Sequence, residues 1–232
     1  MSGDTPLDGA RQSWEARLAT HGLQALGEIA RASPLHPGVG RFVFLRHGQT
    51  EGNRLRIFQA AETPLNEAGR EQAVSAAGLL AGVRLGRVFA SDMRRAWETA
   101  SIVSQRVAAE LIPEPLLRER WFGDLVGTSS ADLDWQMEPP GGETLRSFIG
   151  RTQKGFEIAL AGGNGTANDP TLVVAHGGSL YVLAFSLGVK LDADMTSNAA
   201  PIIFERCGDA WLARLLQKGT QNGSALPSGM GW

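Results

Sequence analysis

The sequence predicts an α/β domain built as a three-layer α/β/α sandwich, preceded by an N-terminal helical extension. Two short apolar runs, residues 42–45 and 172–175, show no polar alternation and are rich in β-branched and aromatic side chains, which is typical of buried strands. Strand and helix patterns then alternate along the chain, as they do in α/β domains. With 232 residues, 43% of them hydrophobic, the chain can bury a full core.

Local patterns place the remaining elements. The helix across residues 67–80 is the clearest, because Asn66 is a good N-cap and Gly82 lies just past its end. Ser91 or Asp92 is expected to cap the next helix. In chain order the patterns predict strands at 41–45 and 87–90, a helix through Val107, an extended piece at 110–113, an irregular excursion at 119–140, a helix from 141 to about 160, a strand at 171–175, a helix at 179–187 and a hairpin at 201–205 and 211–216.

The chain divides into three parts. Residues 1–38 are predicted as the helical extension, because apolar residues recur at roughly helical spacing from Trp14 to Ile29 and prolines 34 and 37 end the pattern. Residues 39–218 form the main domain. Residues 219–232 are rich in Gly, Ser and Pro and are predicted to be a flexible tail. The extension could pack on the domain or on a second subunit, so a homodimer stays open.

Composition excludes several classes of function. The formal net charge is -2 and the charges are mixed along the chain, which argues against nucleic-acid binding. No apolar stretch is long enough to span a bilayer, and no secretory signal is evident, so no membrane partner is expected. The single cysteine, Cys207, favours a cytoplasmic setting. Four histidines and one cysteine give no convincing metal-ligand spacing, so neither a metal nor a cofactor is expected.

Two of the four histidines, His47 and His176, directly follow the two apolar runs. Each therefore falls at the carboxyl end of a predicted strand, the edge where ligands bind in open α/β sheets. Arg46 precedes His47, and Arg95 lies near the start of a helix that follows another predicted strand. Guanidinium groups bind phosphate oxygens in a bidentate manner, and a helix N-terminus adds N–H donors. Taken singly, each would be a surface arginine or a hydrogen-bonded core histidine, but together they predict a phosphoryl site.

Six segments, in the same order, resemble the signature of the histidine phosphatase superfamily, the phosphoglycerate-mutase-like enzymes of branch 1. A lone Arg-His-Gly tripeptide would be weak, whereas six ordered matches across roughly residues 41–205 are specific. The matching segments are Leu45-Arg46-His47-Gly48-Gln49-Thr50-Glu51-Gly52-Asn53, Thr63-Pro64-Leu65-Asn66-Glu67-Ala68-Gly69, Ser91 to Ala100, Leu117-Arg118-Glu119 with Phe122-Gly123-Asp124, Gly141-Gly142-Glu143-Thr144-Leu145, and Val174-Ala175-His176-Gly177-Gly178.

The resemblance implies that His47 is a nucleophile that forms a phosphohistidine, without a metal. It implies that Glu119 is the general acid for the leaving oxygen and then the base that activates water. An ordinary ion pair with Arg118 or Arg120 is the alternative for Glu119.

The resemblance also implies a set of substrate-binding groups that hold the phosphoryl oxygens as charge develops in the transition state. Asn53 would add a neutral donor to the cationic ones. The full set is Arg46, Asn53, Arg95, His176 and Gly177.

Several positions depart from the family pattern, and all lie where the rest of a substrate would be contacted. Ile57 stands where an arginine is common, Ala60 follows Gln59 where a glycine is expected, Gly52 replaces a frequent aromatic residue, and Leu125-Val126-Gly127 replaces a tryptophan-acid-glycine run. Nearby Trp121, Phe122 and Trp135 could line a substrate pocket or pack in the core, and the core is the commoner place for such residues.

The family implies a phosphatase that hydrolyses small phosphomonoesters, and the short excursion at 119–140 favours an open pocket. Two alternatives stay open. One is phosphotransfer of the 2,3-bisphosphoglycerate-dependent phosphoglycerate mutase type, which usually comes with longer insertions and extra basic residues. The other is a phospho-ligand-binding module without turnover. Within the phosphatases the substrate stays open, and α-ribazole phosphatase is one activity among them.

Overall fold

The computed structural model describes residues 22–162 and 170–217. One mixed six-stranded sheet, in the order β3-β2-β4-β1-β5-β6, carries the domain. Strands β1 to β4 run parallel to one another, β5 runs antiparallel to β1, and β6 pairs antiparallel with β5. The strands are β1 Arg41–Arg46, β2 Arg87–Ala90, β3 Glu110–Pro113, β4 Thr171–Ala175, β5 Pro201–Cys207 and β6 Ala210–Leu215, and the helices are α1 Leu23–Arg31, α2 Glu51–Leu55, α3 Glu67–Leu80, α4 Arg94–Val107, α5 Leu145–Ala159 and α6 Gly177–Ser186.

Strand β1 shows how the two faces of the sheet are covered. Successive strand residues point to opposite faces. Phe42 and Phe44 join one core, which includes residues of α5 and α6. Val43 and Leu45 join a second core, which includes residues of α3 and α4. Helices therefore cover both faces, and the predicted α/β/α sandwich is confirmed.

Helix α1 belongs to the predicted N-terminal extension and packs on the α5–α6 face. Leu23, Leu26 and Ala30 are buried in a third cluster with side chains of those two helices. Gln153 of α5 holds the end of α1, because its amide lies 3.0 Å from the carbonyl oxygen of Ala30 and 2.7 Å from that of Ser33. The predictions made for Trp14, for the rest of residues 1–21 and for the tail at 219–232 lie outside the described residues.

The start of two helices differs from the sequence prediction. Helix α4 begins after Met93, which is extended at φ -64° and ψ 133°, and neither Ser91 nor Asp92 is its N-cap. Helix α6 begins at Gly177, two residues earlier than predicted, and His176 is its N-cap residue. The side chains of Ser91 and His176 contact each other at 2.8 Å, and neither makes the side-chain hydrogen bond of an N-cap.

The sheet brings the predicted site residues to one edge. Arg46 is in register with Ala175, and Ala90 with Val174. The chain continues this pairing beyond the strands, since the His47 N–H donates to the Ala175 carbonyl at 2.9 Å and the Ser91 N–H to the Val174 carbonyl at 3.0 Å. Three strand ends thus place His47, Ser91 and His176 side by side. No helix among residues 22–162 and 170–217 has the length and apolarity to cross a membrane.

Candidate active site

His47 is held as one neutral tautomer. Its Nδ1 lies 2.7 Å from the carbonyl oxygen of Gly48, which can only accept, so Nδ1 carries the hydrogen and Nε2 keeps its lone pair. Burial, followed by the positive charges of Arg95 and Arg46, holds the pKa of His47 well below 6.5. The imidazole is therefore neutral at physiological pH, with the lone pair on Nε2.

The turn after His47 is fixed by two glycines that touch. A Cβ on Gly48 would lie 2.3 Å from the carbonyl oxygen of Gly69, and a Cβ on Gly69 would lie 2.0 Å from that of Gln49. The Gly48 N–H also donates to the hydroxyl of Thr99 at 3.0 Å. The first turn of α3 and the side of α4 therefore hold the segment that carries His47, and neither glycine can take a side chain without moving it.

His176 lies beside His47, with ring centroids 5.2 Å apart, and is fully buried. Its Nε2 lies 2.8 Å from the hydroxyl oxygen of Ser91, which also accepts the Met93 N–H at 3.3 Å. We assign the Ser91 hydroxyl as the donor to Nε2, which puts the imidazole hydrogen on Nδ1. Burial, and then the charge of Arg95, holds the pKa of His176 well below 6.5, so the ring is neutral and Nδ1–H is its donor.

Arg46 and Arg95 bring buried positive charge to the same place. Arg46 Nη1 donates to the Thr196 carbonyl at 2.6 Å, and Arg95 Nη1 to the Ala60 carbonyl at 3.0 Å. Burial lowers the pKa of Arg46, and it lowers that of Arg95 to about 10, so both stay protonated at neutral pH.

The two arginines and His176 share an unusual feature. Arg46 Nε, Arg95 Nε and His176 Nδ1 are buried and have no hydrogen-bond partner among the described residues. A buried donor left without a partner costs about 1–3 kcal/mol, so native proteins hold few of them. Three such donors around one neutral imidazole make this site suited to a ligand rich in acceptor oxygens.

Both carboxyl oxygens of Glu119 accept hydrogen bonds from backbone N–H groups. Oε2 accepts the Gly178 N–H and Oε1 accepts the Arg120 N–H, each at 3.0 Å. Gly178 must lack a side chain here, since a Cβ would lie 2.2 Å from Oε1. The neighbouring guanidinium groups are engaged elsewhere.

Arg118 pairs with Asp92 at 2.6 Å. Arg120 donates to three backbone carbonyls, those of Trp135, Met137 and Glu143. The alternative interpretation of Glu119, as the partner of one of these two arginines in an ion pair, therefore lacks support.

Asn53 has a structural role as well as a place in the site. Its Oδ1 accepts the Thr50 N–H at 3.1 Å in the capping box of α2, which leaves the amide NH₂ as its donor. Asn198 donates to the same oxygen at 3.4 Å and to the carbonyl of His47 at 2.9 Å. Asn198 and Thr196 were not predicted from the sequence, since their contacts join positions about 150 residues apart and they lie in no motif.

A cavity of about 410 Å³ opens beside these residues. Glu119 is the acidic residue among those that line it, against four arginines, so the cavity is strongly positive in a chain whose net charge is -2. Of the predicted site residues, the lining includes Arg46, His47, Asn53, Arg95, Glu119 and Gly177, whereas His176 is buried next to His47 and is not on the lining. Within the described residues, no group of three or more His, Cys, Asp and Glu side chains could hold a metal ion.

Comparison with known proteins identifies the family. The model of the histidine phosphatase superfamily (branch 1) matches residues 42–217. A 2,3-bisphosphoglycerate-dependent phosphoglycerate mutase of Xanthobacter autotrophicus is 31% identical over 201 residues, which cover 74% of this chain and 94% of that protein. A glucosyl-3-phosphoglycerate phosphatase of Mycobacterium tuberculosis is 32% identical over 166 residues, which cover 63% of this chain and 74% of the relative.

A solved structure shows the same fold. The mycobacterial glucosyl-3-phosphoglycerate phosphatase in complex with VO3 superposes with a TM-score of 0.61 at 28% identity, over 80% of this chain and all of that one. The family match covers helices α2 to α6 and all six strands apart from Arg41, the first residue of β1. Helix α1 lies outside it. The chain belongs to branch 1 of the histidine phosphatase superfamily.

Proposed function

We propose that this protein is a phosphatase that hydrolyses small phosphomonoesters through a phosphohistidine intermediate on His47. The observation that carries the proposal is the set of three buried, unpartnered donors, on Arg46, Arg95 and His176, around a neutral His47 whose Nε2 holds a lone pair. A phosphoryl group supplies the oxygens that such donors need, and its phosphorus is the atom that the lone pair would attack.

In the first step, His47 Nε2 attacks phosphorus and the bond from phosphorus to the alcohol oxygen breaks. Glu119, in its protonated form, gives its proton to the departing oxygen, so that a neutral alcohol leaves. The negative charge that builds on the phosphoryl oxygens is stabilised by the guanidinium groups of Arg46 and Arg95, by the Nδ1–H of His176 and by the amide of Asn53.

In the second step, a water molecule attacks the phosphorus of the phosphohistidine and gives its proton to the Glu119 carboxylate. The bond between phosphorus and Nε2 breaks, the electron pair returns to the imidazole, and inorganic phosphate leaves. Both residues are then in their starting forms, and the Gly48 carbonyl keeps the hydrogen of His47 on Nδ1 throughout.

The relatives support phosphoryl chemistry and keep a second candidate open. One relative is named a phosphatase and another a mutase. Hydrolysis is favoured because the N–H groups of Arg120 are already bound to three carbonyls and are not free for the carboxylate of a phosphoglycerate, which leaves exposed Arg56 as the lining arginine that could bind it.

The test is release of inorganic phosphate from a panel of phosphomonoesters without added metal. We expect turnover by the wild type and none by His47→Ala. His36→Ala is the matched control, because His36 is exposed and lies outside the site, so it should keep full activity. A radiolabelled phosphoryl group should remain on the wild-type protein after rapid quenching and be absent from His47→Ala.

The alternatives give different results. A mutase would transfer the label to 3-phosphoglycerate faster than to water. A binding module would bind phosphate and release none from any ester. Turnover that persists in His47→Ala would exclude the phosphohistidine route.

A further inference from the structure

Part of the cavity is neither charged nor used by the proposed chemistry. Beyond the phosphoryl-binding residues, the lining holds the polar side chains of Arg56, Gln59, Arg120 and Ser130 and a set of apolar and aromatic ones: Leu23, Ile57, Phe58, Phe122, Ala131, Leu133, Trp135 and Tyr181. We name these eight residues the apolar wall. For two of them, Phe122 and Trp135, the sequence left open a place in the core or in the pocket. Each side chain is at least 93% buried and each also lines the cavity.

The rings of the apolar wall form a continuous chain. The centroids of Phe58 and Phe122 are 4.3 Å apart, those of Phe122 and Trp135 are 6.5 Å apart, and Trp135 meets Tyr181 edge-on at 6.3 Å. Tilted pairs with centroids about 4.5–7 Å apart are favourable aromatic contacts; two of these pairs lie in that range and the Phe58–Phe122 pair is slightly closer. The guanidinium of Arg120 covers Phe122 at 5.6 Å, which fixes the ring further. The rings of the wall therefore support one another through direct contacts.

The apolar wall lies on the side from which the alcohol would leave. A Cβ built on Gly178 would lie 2.2 Å from the Glu119 carboxyl oxygen and 2.7 Å from the Trp135 ring. Trp135 and Glu119 are therefore neighbours across Gly178. Since Glu119 is the group proposed to protonate the leaving oxygen, the organic part of the substrate would lie against Trp135.

One member of the wall comes from outside the family domain. Leu23 begins α1, whereas the family match starts at residue 42. Helix α1 is fixed to α5 by Gln153, and Gly22 contacts the segment that carries Trp135: a Cβ on Gly22 would lie 3.2 Å from the Trp135 nitrogen. The extension thus closes this side of the cavity with an apolar side chain that lies outside the family match.

We propose that the substrate is a phosphomonoester of an apolar, ring-sized alcohol, and that Leu23 is a specificity-determining residue that sets how large this group can be. The proposal rests on the proposed phosphatase function. Leu23 makes no contact with the reacting atoms in this scheme. A hydroxyl or carboxylate that lies against the apolar wall would be left unpaired there, which is costly.

The first test compares benzyl phosphate with glycerol 1-phosphate and 3-phosphoglycerate. All three release an aliphatic alcohol, so the comparison reports contacts of the organic group more than leaving-group chemistry. We expect kcat/KM for benzyl phosphate to be at least about tenfold higher than for the other two. The free energy gained when one ring leaves water is large enough to produce a ratio of that size. Equal rates, or a preference for 3-phosphoglycerate through the exposed Arg56 on the lining, would overturn the inference.

The second test changes the size of the wall at Leu23. Leu23→Ala should raise the ratio of kcat/KM for naphthylmethyl phosphate to that for benzyl phosphate, and Leu23→Phe should lower it, each by about threefold or more. Leu26→Ala is the matched control, since Leu26 is buried on the same helix but does not line the cavity, and its ratio should equal that of the wild type. Inhibition by inorganic phosphate should be the same in all four proteins.

The outcomes separate this inference from the proposed function. Release of phosphate from no ester at all would contradict the phosphatase itself. Turnover without preference for the apolar alcohol, or a ratio that stays constant in folded Leu23→Ala and Leu23→Phe, would contradict only the present inference. If neither Leu23 variant folds, as judged by circular dichroism, the wild-type comparison of benzyl and glycerol phosphates decides the matter.

Discussion

At the scale of single residues, the site works by fixing hydrogens on imidazoles. A carbonyl holds the hydrogen of His47 on Nδ1, and the Ser91 hydroxyl holds that of His176 on Nδ1. Both rings are buried next to Arg95, so they stay neutral. In the proposed reaction one ring is the nucleophile and the other a donor, although the two side chains are chemically identical. The difference lies only in which neighbour each nitrogen meets.

This arrangement makes the folded protein sensitive to acid. The pKa values of His47 and His176 are lowered on folding, mainly by burial, whereas in the unfolded chain a histidine titrates near 6.5. Below that pH the unfolded state binds more protons than the folded state, so the free energy of unfolding falls as the pH falls. At about pH 5.5 each buried histidine contributes a loss of at most about 1.4 kcal/mol.

We therefore expect urea unfolding to show lower stability at about pH 5.5 than at about pH 7.5, with the loss starting near pH 6.5. His47→Asn should lose less over the same interval, because it has one buried histidine fewer to protonate. A wild-type protein that gains stability on acidification across this interval would show that the two rings are charged in the folded state.

At the scale of elements, the start of α3 positions His47, the proposed nucleophile. Gly69, in its first turn, touches the backbone of Gln49, and Asn66 caps the helix by accepting the Gly69 N–H at 2.8 Å. The cap was predicted from the sequence, because a capping residue ahead of a helix is a local signal. The contact with Gln49 was not, since it depends on how the helix meets a distant turn.

Helix α3 offers a matched pair of glycines for a test. Gly69→Ala places a Cβ 2.0 Å from the Gln49 carbonyl, whereas Gly78→Ala meets nothing within 4 Å. We expect Gly69→Ala to destabilise the protein by roughly 1–3 kcal/mol and to lower kcat, because the turn that carries His47 must move. Gly78→Ala should stabilise it by about 0.5–1 kcal/mol and leave kcat unchanged. Thermal unfolding and phosphate release measure both, and similar effects of the two substitutions would mean that the turn is not held by α3.

Sequence reasoning recovered some elements better than others, for a physical reason. The strands at 87–90 and 171–175 and the helix at 67–80 were predicted with the bounds that the structure has, since apolar runs and caps are local signals. The starts of α4 and α6 were misplaced, and the Ser91–His176 contact beside them joins two strand ends that only the folded sheet brings together. The apolar wall was missed for the same reason: Leu23, Phe58 and Trp135 come from three distant segments, and no spacing in the chain indicates that they line one cavity.

At the scale of the whole molecule, charge is distributed unevenly. The chain has a net charge of -2, yet the cavity holds the buried guanidinium groups of Arg46 and Arg95, with Glu119 as the acidic residue of its lining. Donors without partners and like charges close together both cost stability in the folded state. A bound anion would remove much of that cost, so occupancy of the site should be visible in the stability of the entire fold.

We expect inorganic phosphate to raise the melting temperature of the wild type in a dose-dependent way, since a ligand that binds only the folded state adds about 2.7 kcal/mol at 100 times its Kd. Arg95→Met should lose most of this shift, measured against its own phosphate-free state, because Arg95 is buried at the site. Its neighbour Arg94 is exposed and pairs with Glu98 at 2.7 Å. Arg94→Met should keep the shift, and it serves as the control because it removes one positive charge as Arg95→Met does. Chloride at matched ionic strength should produce no comparable shift, which separates a specific site from general screening. An equal phosphate shift in Arg94→Met and Arg95→Met would place the anion elsewhere on the molecule and would remove the basis for the proposed chemistry.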